Sequence, residues 1–366
     1  MSSAMPDGKP WLWVAMQARG VVLGAMPTFR DIDGVLWTMT AAQQGGATTP
    51  PPEPEPEPVP IGRLRVSGKY LVDETGLAWT GHGVNIMDTR GCNACTWSDP
   101  DADEVIRRMR YFLDQGATFF RLCLESYMRS DSGRSNTFNT PGYLDDIERI
   151  VDFAHSEGVQ IMASLWIDET FDAGWVPTQD TYLNLAALGR RLEKYPNAWI
   201  GCSNEPTMNW DQADSARRHL VFTNCVKAIR DSGFSGLVAV QGLSGWGRDL
   251  SYYVTHPMTD RQVVYETHVY GPATDYTSQV TTSRNFGLPV ILGEFGPVAG
   301  MMTQLDALAV GGQAIADGVT SAAWVGHHRC GAQSSILVDN SNGGCGVGMP
   351  LALTEWGTRL VELWVR

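Results

Sequence analysis

No apolar run in this sequence approaches the roughly 20 residues needed to cross a bilayer, so no membrane span is expected. Cationic side chains are also short in number. Lys and Arg total 27 against 40 Asp and Glu, giving a formal net charge of -13. Such a surface repels phosphate backbones and anionic lipid, which argues against a nucleic-acid partner and suits a neutral one. Cysteine is sparse. Seven in 366 residues do not make a disulfide scaffold, and the odd count leaves at least one thiol unpaired. Cys123 and Cys202 fall inside apolar segments, where a buried free thiol is ordinary. Cys330 and Cys345 flank a Gly/Ser/Asn-rich loop and are the favoured bridge, while Cys92 and Cys95 form either a tight bridge or half a metal site. No second Cys or His pair stands at zinc spacing, so neither metal nor cofactor is expected. His327-His328-Arg329 reads as a polar loop. No internal repeat is present, and no Gly-rich phosphate turn follows the first strand.

Aromatic residues, by contrast, are plentiful, with 13 Trp and 11 Tyr. Residues 1–47 contain two apolar stretches divided by Arg19 and make a poor export signal, so they read as a leader or a disordered segment. Residues 48–60 alternate Pro with Glu, which imposes an extended, self-repelling spacer. A linker of this kind points to a secreted or cell-surface protein, and a monomer is expected. From residue 61 to 366 the pattern changes to strands alternating with amphipathic helices. A small hairpin over Leu64–Asp73 precedes a first core strand over Leu77–Ile86. Further strands follow at Ala117–Leu124, Val159–Trp166, Ala198–Glu205, Leu237–Gln241, Val263–Tyr270, Pro289–Phe295 and Val319–Val325. Helices intervene, for example over 103–115 with Val105, Ile106, Met109, Phe112 and Leu113 on one stripe. Eight strands with such crossovers predict a (β/α)8 TIM barrel, with a doubly wound open sheet as the alternative.

Two of those strands share a form. Ala198-Trp-Ile-Gly-Cys-Ser-Asn-Glu-Pro206 is an apolar run halted by a proline, and Pro289-Val-Ile-Leu-Gly-Glu-Phe-Gly-Pro297 repeats the arrangement. A strand buried on both faces reads as a continuous apolar run, and proline cannot extend its ladder. Glu205 and Glu294 are thereby expected on the C-terminal lips of strands four and seven. Paired carboxylates at one end of a barrel are what cleavage of a glycosidic bond requires.

The sequence resembles glycoside hydrolase family 5, the cellulase-type retaining β-glycosidases, over residues 62–366. The resemblance rests on Gly81-His82-Gly83-Val84-Asn85, Arg121, Asn204-Glu205-Pro206, His268-Val269-Tyr270, Gly293-Glu294-Phe295-Gly296 and Trp324, in that order and each on its strand. It implies Glu205 as acid/base and Glu294 as nucleophile, acting on a polysaccharide or oligosaccharide. The chemistry then asks for a cation and a phenol beside the nucleophile, which Arg121 and Tyr270 supply. Asn204 suits a sugar 2-OH, His82 and His268 the hydroxyls and the acid/base, and Trp324 the floor under the ring. One position departs from the family. Where a histidine is common at the end of strand three, Trp166 or Ser164 stands here. Trp175, Trp210 and Trp246 are candidate sugar platforms. β-1,4-Glucan is the favoured substrate, with mannan as the alternative. A silent carbohydrate-binding barrel and a metal-dependent hydrolase are the competing classes.

Overall fold

The computed structural model describes residues 28–30, 36–38, 62–88, 102–126, 128–129, 134–135, 138, 142–206, 212–243, 245–328, 333–339 and 347–365. The chain divides into two units, residues 1–57 and 58–366. In the first, β1 (Thr28–Arg30) pairs antiparallel with β2 (Leu36–Thr38), so a hairpin stands in the segment read as leader or disorder. In the second, β3 (Arg65–Ser67), β4 (Tyr70–Val72) and β5 (Ala78–Trp79) form a small antiparallel sheet. β5 corrects the sequence reading. Ala78 and Trp79 belong to this lid, and the first barrel strand, β6, starts later, at His82, and runs to Met87.

β7 (Phe119–Ser126) pairs parallel to β6, and a two-stranded ribbon of β8 (Met128–Arg129) and β9 (Arg134–Ser135) follows it. Then come β10 (Gln160–Asp168), β11 (Ala198–Gly201), β12 (Val238–Gln241), β13 (Val263–Val269), β14 (Val290–Phe295) and β15 (Ser321–Ala323). β15 pairs back onto β6, which closes an eight-stranded parallel barrel. The fold is a (β/α)8 barrel.

The outer helices form where the sequence stripe is apolar. The helix Ala102–Asp114 buries Val105, Met109 and Phe112 and leaves the flanking Ile106 and Leu113 half-covered. Helix Tyr143–Ser156 buries Ile147, Ile150, Val151 and Ala154, and Gly158 ends it at φ 69°. That left-handed turn is one glycine adopts without strain.

The barrel interior has two kinds of layer, because every second residue of a strand points inward. Near the N-terminal ends, Phe119, Met162, Trp199, Leu237, Ala239, Val264, Ile291 and Ala322 pack with Leu64 and Leu71 of the lid into an apolar floor. Gly83 allows this closure, since a Cβ there would stand 1.8 Å from the Phe119 carbonyl oxygen. Two residues further along, five of the eight strands turn a polar side chain inward: Asn85, Arg121, Ser164, Gln241 and Glu266, all fully buried. The site lies on that layer.

The bridge and metal readings for Cys92, Cys95, Cys330 and Cys345 lie outside the described residues, as does Trp210. Cys123, Cys202 and Cys225 are free and buried. His327 and His328 lie in the loop read from the sequence, buried side by side with ring centroids 5.2 Å apart. Among the described residues, no helix is long and apolar enough to cross a membrane.

Candidate active site

Glu294 reaches the cleft through a slip in the ladder. β13 and β14 pair as Thr267 with Leu292, and then as His268 with Glu294, so Gly293 is passed over. A bulge of this kind re-aims the residue that follows it, here the glutamate. Glu205 arrives differently. Its strand ends at Gly201, and the chain then turns so that Glu205 sits at φ 44°, with its N–H donating to Gln241 Oε1 at 3.2 Å. Left-handed backbone costs a non-glycine residue on the order of 1 kcal/mol or more. The described residues contain three such non-glycine positions, Trp175, Glu205 and Trp246, and all three line one cleft of about 770 Å³. Strain collected at a cleft marks it as functional.

Around the two carboxylates the contacts are dense. Arg121 is wholly buried and donates from Nη1 to Glu294 Oε1 at 2.8 Å and to Asn85 Oδ1 at 2.9 Å. Its Nη2 donates to Asn204 Oδ1 at 2.7 Å. Its Nε lies 2.7 Å from Glu266 Oε1, a close ion pair whose angle falls short of hydrogen-bond alignment. Asn85 is itself fixed, donating to the carbonyls of Gly293 and Ala322 at 2.9 and 3.0 Å. The Tyr270 hydroxyl donates to Glu294 Oε2 at 3.0 Å. His268 Nδ1 stands 2.8 Å from Glu205 Oε1 and 3.5 Å from Glu294 Oε2, while its Nε2 stands 3.1 Å from Glu266 Oε1.

These contacts set the charges. Burial alone would depress His268, but Glu294, Glu205 and Glu266 outweigh it and push its pKa up to about 9. The ring is therefore an imidazolium at neutral pH, with both nitrogens donating. Burial raises the Glu294 carboxyl above the ordinary range, opposed by the charges of His268 and Arg121. Glu266, for which burial works in the same direction, is brought below the ordinary range chiefly by Arg121 and then by His268. Arg121 thus bridges Glu266 and Glu294, and His268 bridges Glu266 to both Glu205 and Glu294.

Glu205, His268 and Glu294 each place a ligand-type atom within 4.8 Å of the others. The donor chemistry does not suit a metal, because an imidazolium has no lone pair to give and two fixed cations already occupy the position of positive charge.

Most of the residues expected from the sequence meet here. Glu205, Glu294, Asn204, Tyr270, Trp324 and Trp166 line the cleft, and Arg121 and His268 lie directly beneath. Trp166 is the residue skipped at a bulge in the β7–β10 ladder, and its ring stacks on Trp324 with centroids 5.5 Å apart. Trp175 and Trp246 add two exposed aromatic faces. His82 does not join them. It opens β6 at the opposite end of the barrel, roughly 16 Å from the lip at about 3.3 Å per residue. There it stacks on Trp364, with Nε2 3.1 Å from the Gly116 carbonyl. Glu266, Gln241 and Arg248 were missed. The first carried a signal, since strand alternation puts Val264, Glu266, His268 and Tyr270 on one face.

A family model described as cellulase (glycosyl hydrolase family 5) matches residues 77–325. The chain belongs to this family. It is a glycoside hydrolase. Among solved structures, the cellulase Cel5C_n is similar at 16% identity and TM-score 0.68, over 86% of this chain and 95% of that one. The catalytic domain of a Thermobifida fusca endoglucanase is similar at 16% identity and TM-score 0.63, over 84% and 98%. The catalytic domain of a mannanase from Streptomyces sp. SirexAA-E is similar at 20% identity and TM-score 0.59, over 82% and 90%. At these identities the likenesses establish the fold of this family 5 enzyme. No curated protein matches it by sequence.

Proposed function

We propose that this family 5 enzyme cleaves a β-1,4-linked glycan internally by double displacement, with Glu294 as nucleophile and Glu205 as acid/base. The carrying observation is the separation of the pair. Carboxylate oxygens of Glu205 and Glu294 lie within 4.8 Å of each other, which matches the retaining geometry and leaves no room for the intervening water an inverting enzyme needs. Glu294 attacks the anomeric carbon while the Glu205 proton passes to the leaving glycosidic oxygen. Glu205, now ionised and facing the His268 Nδ1–H, then takes a proton from the water that releases the glycosyl-enzyme. Asn204 Oδ1 accepts from Arg121 Nη2, and Asn204 lines the cleft, where its NH2 would donate to a sugar hydroxyl. Trp324, Trp166, Trp175 and Trp246 offer apolar faces for sugar rings along an open cleft, which favours internal attack on a chain.

Glucan is placed ahead of mannan because the family description is that of cellulases. The likeness to mannanases makes mannan the second reading. A silent binding barrel would have no use for the buried pairing of Arg121, Tyr270 and His268 with two carboxylates. The Pro/Glu-rich composition of residues 48–60 supports an exported enzyme, which we take to act as a monomer.

The test is a reducing-sugar assay on soluble glucan, mannan and xylan with the wild type, Glu205→Ala and Glu294→Ala. Each variant is expected to lose several orders of magnitude in kcat. Azide should restore Glu294→Ala with inverted product. Turnover near wild type in either variant would refute the assignment, and preferential release from mannan would reverse the substrate order.

A further inference from the structure

The reaction uses Glu205 and Glu294 and gives no part to a third carboxylate, Glu266, which is completely buried in the barrel. An ionised carboxyl withdrawn from water is costly unless it is paired. Glu266 is paired twice, through one oxygen. Its Oε1 lies 2.7 Å from Arg121 Nε and 3.1 Å from His268 Nε2. Each partner turns its far side to a catalytic group: Arg121 Nη1 is 2.8 Å from Glu294 Oε1, and His268 Nδ1 is 2.8 Å from Glu205 Oε1. The backbone has made space for this oxygen, because a Cβ on Gly293 would stand 2.0 Å from it. Gly293 is also the residue passed over in the ladder beside Glu294.

We propose that Glu266 is a positioning residue for both halves of the reaction, a single anchor beneath the site that fixes the Arg121 guanidinium against the nucleophile and the His268 ring against the acid/base. The inference rests on the reading of Glu205 and Glu294 as the catalytic pair. With Nε2–H directed at Glu266 and Nδ1–H aimed at Glu205, the ring is held at both ends and cannot turn. The charged and titratable groups around Glu266 are Arg121 and Cys123 on β7, His268 on its own strand and Tyr270 just past its end, Glu294 on β14, and Glu205 after β11. Gln241 of β12 contributes only an amide. Burial holds the Cys123 thiol and the Tyr270 phenol neutral, so neither competes. Removing the charge at position 266 leaves Arg121 and His268 facing Glu205 and Glu294 alone. The nucleophile then gives up its proton more readily, and the ring holds its own less tightly.

The experiment is Glu266→Gln, read in two ways. His268 is titrated by NMR without substrate, its resonance assigned by its loss in His268→Gln. The pH profile of kcat/KM is measured on the polysaccharide the wild type hydrolyses. The His268 midpoint should fall by one unit or more from about 9. The acid limb, which reports Glu294, should move to lower pH, and turnover should fall about 10–100-fold from lost alignment. Glu266→Asp keeps the charge but withdraws it by one methylene. It should retain a His268 midpoint above the ordinary imidazole value while losing turnover, and it serves if the Gln variant does not fold. Reduced activity with both the midpoint and the acid limb unmoved would make Glu266 a packing residue and overturn the proposal, as would an ordinary His268 midpoint in folded Glu266→Asp. The NMR titration needs no substrate, so it can fail while the glycanase reading stands, and the Glu205 and Glu294 variants can fail while it holds.

Discussion

Arg121 carries more of the site than any other single residue. Its guanidinium contacts Glu294, Asn85, Asn204, Glu266 and the Cys123 sulfur, and none of it reaches solvent. The planar fork of arginine suits this role and a lysine could not reproduce it. Burial raises the pKa of Glu294, the proposed nucleophile, with Glu205 and Glu266 adding to the rise, while His268 and Arg121 hold it down. In Arg121→Met one of the two opposing cations is gone, so the Glu294 pKa rises further. Because Glu294 must be ionised to attack, the acid limb of the pH–rate profile should move to higher pH by about one to three units, with a smaller change on the basic side. An acid limb left in place, at whatever activity, would show that Arg121 packs rather than tunes.

At the scale of the strand, Glu205 and Glu294, the proposed catalytic pair, are delivered by departures from regular geometry. Gly293 is the hinge of one. In Gly293→Ala the new methyl would meet Glu266 Oε1, and overpacking at such a point costs about 1–3 kcal/mol. A melting temperature lower by several degrees and a drop in kcat larger than any change in KM are expected from calorimetry and steady-state kinetics. A variant with wild-type melting and turnover would show that the passage past Gly293 has slack. The same geometry explains what the sequence made legible. Apolar runs such as Val290–Leu292 and Val238–Val240 announced strands, and terminal glutamates announced the lip. A bulge, however, leaves no trace in a period-two pattern. Strict alternation from Ile291 puts Gly293 on the inward face and turns Glu294 away from it. His82 was misplaced for a related reason. Two strands, β5 and β6, were read as one, which put a residue from the start of the barrel strand near its end. Glu266 was visible on the His268 face but had no motif to single it out.

For the whole molecule, the sequence has its Pro/Glu stretch over residues 48–60, and the second compact unit runs from residue 58 to 366. The barrel closes on its own strands, and the lid of β3 to β5 belongs to the same unit. Removing residues 1–57 should therefore leave the melting temperature and kcat unchanged within error. A fall of more than a few degrees would assign the N-terminal unit a share in the stability of the barrel.

The separation of the barrel interior into an apolar floor and a charged layer above it has a practical side. Phe119, Met162, Trp199, Val264 and Ile291 govern cohesion, and Arg121, Ser164, Gly201, Glu266 and Gly293, two positions onward on the same strands, govern reactivity or make room for it. Each strand thus carries two independent instructions on one face, written a single repeat apart. A breeder of hardier variants can rewrite the lower one in combination, screening only for heat tolerance, and leave the upper one untouched.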